Sequence, residues 1–190
     1  MTTTEGNGRV DPVQSILDGA LEMFSRHGFE KTGMSDIAAA AGLSRTSLYK
    51  RFATKEEVFK ALSQRINEGV LGDVKAAASA PGTPAEKLAG VIHARVGWVY
   101  DLFNRSEYGR ELVNEKNRLC GGDVLDANDR FTAFVADLIA SLPRHDPVLA
   151  PEAAARLLVA SVNGVLADAT TRQEAEARVT ALAGVFSRGL

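Results

Sequence analysis

Very little in this chain can be cross-linked. It has one cysteine, Cys120, in 190 residues, so no internal disulfide can staple the fold, and such sparing use fits a reducing interior. Long apolar runs are missing too: none approaches the roughly 18 uninterrupted apolar residues of a spanning helix. The opening MTTTEGNGRV lacks the basic region and apolar segment of a secretory signal. Strand-like alternation, internal repeats and low-complexity tracts are also lacking. His27, His93 and His145 lie far apart in the chain, with no i,i+4 pair and only Cys120 to join them, so no metal site is expected. There is no P-loop, no G-x-S-x-G and no H-E-x-x-H. Asp126-Ala127-Asn128-Asp129 opens like a calcium loop but lacks its glycine and terminal glutamate. Paired acids such as Glu111 and Glu115 read as a solvated helix face. These absences predict a cytoplasmic protein with no membrane association, no cofactor and no catalytic constellation.

What is present is helical. Hydrophobic residues make up 45% of the chain and charged ones 24%, and the mean hydropathy of -0.06 suits a soluble globular protein. The net charge is only -2, but it is unevenly spread. From Ser44 to Arg65 six basic residues face two acidic ones, a local +4, whereas from Ile66 onward 13 basic face 16 acidic, a local -3. A small positive end on an acidic body is a footprint for phosphate contact, although a solvated helix face gives the same count.

Residues 1–10 are expected to form a disordered tail. Asp11-Pro12 caps a first helix over 12–26, with Gln14 placed to complete a capping box and His27-Gly28 to end it. Ser35 is placed to cap a short second helix to about Ala41, and Gly42 supplies the turn. Ser44 caps a third helix from Arg45 to Phe52, whose Leu48 and Phe52 face a core with Phe24, Ile37 and Val58. Thr54-Lys55-Glu56-Glu57 opens a fourth helix reaching about Ala78, and SAPGTP at 79–84 marks the best domain boundary. Thr83 to Glu86 opens a fifth helix, 105–119 is a more charged one closed by Cys120-Gly121-Gly122, and 123–142 carries a clear apolar stripe. An alanine-rich helix over 152–169 and a last one opened by Thr171 to Glu174 complete an all-α chain of about nine helices.

The stretch Thr32 to Lys55, TGMSDIAAAAGLSRTSLYKRFATK, carries the functional signal. Two short helices flank a glycine-centred turn, and the second opens with polar and basic residues. The run A-G-L-S-x-x-S-L-Y-x-x-F-x-x-K-E resembles the DNA-binding domain of the TetR family of bacterial transcriptional regulators, over about residues 11–60. A recognition helix sets its N-terminal residues against base edges, here Arg45, Thr46 and Ser47. Arginine can donate bidentately to guanine, and a threonine methyl can touch that of thymine. The resemblance implies phosphate contacts by Tyr49 and Lys55, with Thr32 and Ser35 holding the backbone near the second helix and Lys50 and Arg51 completing a basic rim. Gly33 and Lys50 depart from the usual family pattern, where a phosphate-side residue and an aromatic are common. An ordinary helical hairpin is the alternative reading.

The resemblance further implies a DNA-binding domain over 11–57, its connecting helix continuing to about 78, and a helical effector-binding and dimerisation domain over 84–190. Arg95, Trp98, Phe103, Tyr108, Asn128, Phe131 and Asn163 are candidate effector-pocket residues, though core packing accounts for each equally well. Leu157, Ser161, Gly164, Leu182 and Phe186 sit on broad apolar or small-residue faces that would form a homodimer interface. The expected function is a homodimeric repressor released from a palindromic double-stranded DNA operator by a small-molecule effector. The rival is a helical small-molecule-binding or scaffolding protein without DNA binding.

Overall fold

The computed structural model describes residues 11–143, 148–167, 169 and 171–188, and their side chains apart from those of 98–100, 102–105, 163 and 165–167. The expected tail at 1–10 lies outside the described residues. Those residues form eight helices and no strand: α1 (Pro12–Lys31), α2 (Met34–Ala40), α3 (Arg45–Tyr49), α4 (Lys55–Ser79), α5 (Pro84–Arg105), α6 (Gly109–Ser141), α7 (Pro151–Ala167) and α8 (Arg172–Arg188). One fewer helix than expected arises at Cys120. That residue leaves helical geometry, at φ -124° and ψ 23°, so α6 is two helices joined across a kink, at the break expected of Cys120-Gly121-Gly122.

The local signals behave unevenly. Thr83 and Glu86 form a reciprocal capping box, the Thr83 amide donating to Glu86 Oε2 at 2.7 Å and the Glu86 amide to Thr83 Oγ1 at 3.3 Å. These bonds hold the Glu86 carboxyl below its usual pKa. Asp11 caps α1 by accepting from the Val13 amide at 2.9 Å, but Gln14 does not close a box, because its Oε1 accepts from Arg65 Nη1 instead. Ser35 does not cap α2. The residue before the helix is Gly33, whose amide donates to Asp36 Oδ2 at 2.8 Å.

The chain divides into two compact units that are not consecutive in sequence: Met1–Arg65 with Phe103–Cys120, and Ile66–Leu102 with Gly121–Leu190. The core of the first unit is aromatic. Phe24, Phe29 and Phe59 meet pairwise with ring centroids 5.1–5.5 Å apart, two of the three pairs edge to face, the arrangement ring quadrupoles favour. Ile16, Leu17, Ile37, Leu48 and Val58 are buried with them. Gly19 lets α1 and α2 meet backbone to backbone, since a Cβ there would stand 2.8 Å from the Ala41 nitrogen.

The segment beyond Phe103 belongs to this unit through specific bonds. Ser106 Oγ donates to the Ser25 carbonyl at 2.5 Å, and the Glu30 amide donates to Glu111 Oε1 at 3.1 Å. Gly28 sits under that contact at φ 81°, and a Cβ there would lie 2.6 Å from Glu111 Oε2 and 2.8 Å from the Tyr108 ring. Glycine at 28 is therefore required both by conformation and by space.

The second unit has an aliphatic core drawn from Val70, Val74, Leu88, Ile92, Val135, Ile139, Leu158 and Val179, among others. Small residues (Ala154, Ala155, Ala183) are buried among them, consistent with the alanine-rich pattern of α7. Among the described residues, no helix is long and apolar enough to cross a membrane.

Candidate nucleic-acid interface

The turn between α2 and α3 is fully bonded. Leu43 N–H donates back to the Ala38 carbonyl at 2.9 Å and Gly42 N–H to Ala39 at 3.1 Å, the six-to-one and five-to-two pair of a Schellman ending. Gly42 takes φ 66° at its centre, a left-handed conformation that an L side chain rarely adopts. Ser44 then starts α3, its Oγ accepting from the Ser47 amide at 3.1 Å. Leu48 is fully buried beneath the short helix, so the opposite face must point outward.

That outward face carries Arg45, Thr46, Tyr49, Lys50 and Arg51, all exposed. Arg45 lies over the Tyr49 ring, its Cζ 5.5 Å from the centroid, one turn away on the same face. Ser47 is half-buried, and its hydroxyl is engaged with Ser44 Oγ at 2.9 Å. Arg51 donates through Nη1 to the Ser47 carbonyl at 3.0 Å, closing the last turn. Ser35 is exposed at the start of α2.

Two residues expected at the phosphates are engaged elsewhere. Thr32 is 2% exposed, and its hydroxyl donates to the Gly28 carbonyl at 2.7 Å and to Met23 at 3.2 Å. It closes the end of α1 rather than facing solvent. Lys55 Nζ donates to the Phe29 carbonyl at 2.7 Å and stands 4.3 Å over the Phe29 ring. Its ammonium thus serves the orphan carbonyls at a helix end. Neither role has a sequence signature, because each partner is set by how α1 ends.

In the second unit a cavity of about 180 Å³ is lined by Ile92, Arg95 and Val96 of α5, Asn128 and Phe131 of α6, and Val159 and Val162 of α7. It brings together Arg95, Asn128 and Phe131 of the candidate pocket set. Tyr108 is not among its lining residues: it lies in the first unit, beneath Lys31, whose Nζ is 5.9 Å from the ring centroid. Aromatic type and helical spacing do not distinguish a cavity wall from the buried side of another unit. The side chains of Trp98, Phe103 and Asn163 lie outside the described ones. Ile92, Val96, Val159 and Val162 were not singled out from sequence, because branched aliphatics on a helix are indistinguishable from plain core.

The expected interface residues occupy α7 and α8. Leu157 is 51% exposed and Val185 59%, while Leu182 and Phe186 pack partly against the core. Ser161 is half-buried, and a Cβ added at Gly164 would meet nothing within 4 Å.

With this geometry in hand, the likenesses to known proteins are specific. The family described as "Bacterial regulatory proteins, tetR family" matches residues 16–62. The HTH-type transcriptional activator FasR of Mycolicibacterium smegmatis is 27% identical over 65% of this chain and 57% of its own length. The HTH-type transcriptional regulator AcrR of Shigella flexneri is 33% identical over 42% of this chain and 37% of its own. The chain therefore spans only about half, or less, of the curated relatives it matches. A solved TetR-like transcriptional regulator from Rhodococcus sp. RHA1 is 26% identical with a TM-score of 0.65, covering 94% of each chain. Joined to the capped turn and the exposed face of α3, these likenesses show that residues 16–62 form a DNA-binding domain of the TetR family of bacterial regulatory proteins.

Proposed function

We propose that the protein is a homodimeric transcriptional regulator, a cytoplasmic repressor released from a palindromic operator by a small-molecule effector. The observation that carries this reading is the face of α3. Arg45, Thr46, Tyr49 and Lys50 project from a helix whose start, end and underside are all anchored. Five helical residues touch too few base pairs to specify a site alone, so recognition requires two copies related by a two-fold axis and a palindromic site. The exposed apolar residues of α7 and α8, Leu157 and Val185, support dimerisation through that face. In this reading Arg45 and Thr46 meet base edges, with Ser47 beside them. Tyr49, Lys50 and Ser35 meet phosphates. An effector bound in the second unit would act by favouring a spacing of the two α3 helices that does not fit the operator.

A mobility-shift titration against the promoter of its own or an adjacent gene tests the reading. A specific shift is expected, weakened and less sequence-selective in Arg45→Ala. In Lys50→Ala the slope of log K against log salt should become shallower by about 0.9 for each phosphate that the lysine had neutralised. A folded dimer that gives no specific shift at moderate salt would leave the ligand-binding or scaffolding reading in its place.

A further inference from the structure

We propose that the α5–α6–α7 cavity takes a small organic carboxylate, with Arg95 as the fork that holds it and an apolar body about the size of one aromatic ring. This rests on reading the second unit as the effector-binding part of a regulator, and it names the class of effector.

The argument starts from Arg95. Five other arginines are ion-paired, Arg26 with Glu22, Arg65 with Asp18, Arg118 with Glu115, Arg172 with Asp101 and Glu176, and Arg178 with Glu174, while Arg45, Arg51, Arg110, Arg130, Arg156 and Arg188 are exposed to solvent. Arg95 is half-buried, and among the described residues it forms no ion pair. It lies instead against an uncharged ring, its Cζ 5.3 Å from the Phe131 centroid. Burial pulls its pKa below the ordinary arginine value, with no acidic side chain opposing the shift. A guanidinium does not shed its proton in a protein, so it must remain a cation in a poorly solvated hollow.

Geometry then selects the anion. A guanidinium over an aromatic ring keeps its N–H edge free, and that edge offers two parallel donors matched to a planar carboxylate. One arginine and no lysine line the cavity, which suits a single negative charge. Ile92, Phe131 and Val162 are buried and make the remaining wall apolar, whereas Asn128 is exposed at the mouth and can bond a second polar atom. The volume of about 180 Å³ bounds the body. An apolar cavity of roughly 150 Å³ holds benzene, so the space suits one ring or a short alkyl chain.

The test is calorimetric titration of the full chain with matched probes: benzoate and octanoate, their neutral counterparts benzyl alcohol and 1-octanol, and the cation benzylammonium. At least tenfold tighter binding of each carboxylate over its alcohol is expected, with benzylammonium weakest. Arg95→Met should erase that preference while keeping alcohol binding, and Arg95→Lys should keep part of it. Equal affinity for carboxylates and alcohols in the unaltered protein overturns the proposal, whatever the variants do. So does an undiminished preference in a folded Arg95→Met. The two readings fail separately. Carboxylate preference without any operator shift removes the regulator and leaves the site, and an operator shift without carboxylate preference does the reverse.

Discussion

The two units of this molecule are specified over different distances along the chain. The turn and helix starts of the first unit are decided by neighbours: Ala38 to Leu43 closes the turn, Ser44 to Ser47 starts α3, and Asp36 to Gly33 starts α2. The second unit's cavity gathers positions 92–96, 128–131 and 159–162 from three helices. A short-range device works wherever its few residues occur together, so it is legible as a motif. A cavity is defined by which helix faces meet, and that information is spread over the whole chain. The aromatic core of the first unit against the aliphatic core of the second makes the same contrast in packing.

The largest expected effect sharpens that division. Phe24→Ala removes the ring shared by Phe29 and Phe59 and should cost about 3–5 kcal/mol. Hydrogen exchange should show weaker protection across residues 16–62 while α7 and α8 keep theirs. Equal weakening in both units would break the comparison.

Next come two glycines that look alike in sequence. Gly28→Ala forces a left-handed residue and collides with Glu111 and Tyr108, so it should lower stability by about 2 kcal/mol or more. Gly69→Ala meets open space within α4 and should raise stability by about 0.5–1 kcal/mol. Thermal melts of both variants read the opposite signs directly.

Ser44→Ala deletes the cap of a five-residue helix, for an expected loss of about 1 kcal/mol. If the proposed operator is found, affinity should fall with the salt slope unchanged, because every phosphate-facing cation is still in place.

The smallest effect lies in the second unit. His93 bonds Thr180 Oγ1 at 3.2 Å. Burial pulls its pKa below 6.5, and nearby Arg172 adds to this while Glu176 opposes it. Below that value the unfolded chain binds a proton that the folded chain binds less well, so stability falls as pH drops through the window beneath 6.5. Melts of His93→Gln at neutral and acid pH should show a shallower decline than the parent.

The fold and the interface were legible to different degrees. The all-α character, the capped starts at Asp11, Ser44, Thr83 and Thr171, and the glycine turn at Gly42 follow from spacing rules that operate within one helical turn. The exposed residues of α3 follow as well, because a helix that buries Leu48 must turn Arg45 and Tyr49 outward. The engagement of Thr32 and Lys55 was not legible. Both serve the carbonyls at the end of α1, and where those carbonyls point depends on Gly28 and the aromatic core beneath them.

The stretch from Thr32 to Lys55 was determined by sequence alone in its essentials: two short helices, a glycine turn and a basic outer face. Periodicity, caps and one positive-φ residue are enough for that, since each acts over a few residues. Tertiary structure decided which polar groups on that stretch remain free, placed Tyr108 in the first unit, and set Arg95 against Phe131 in a hollow with no acidic partner among the described residues. Those outcomes depend on helices distant in the chain packing face to face, and no local rule states which faces will meet.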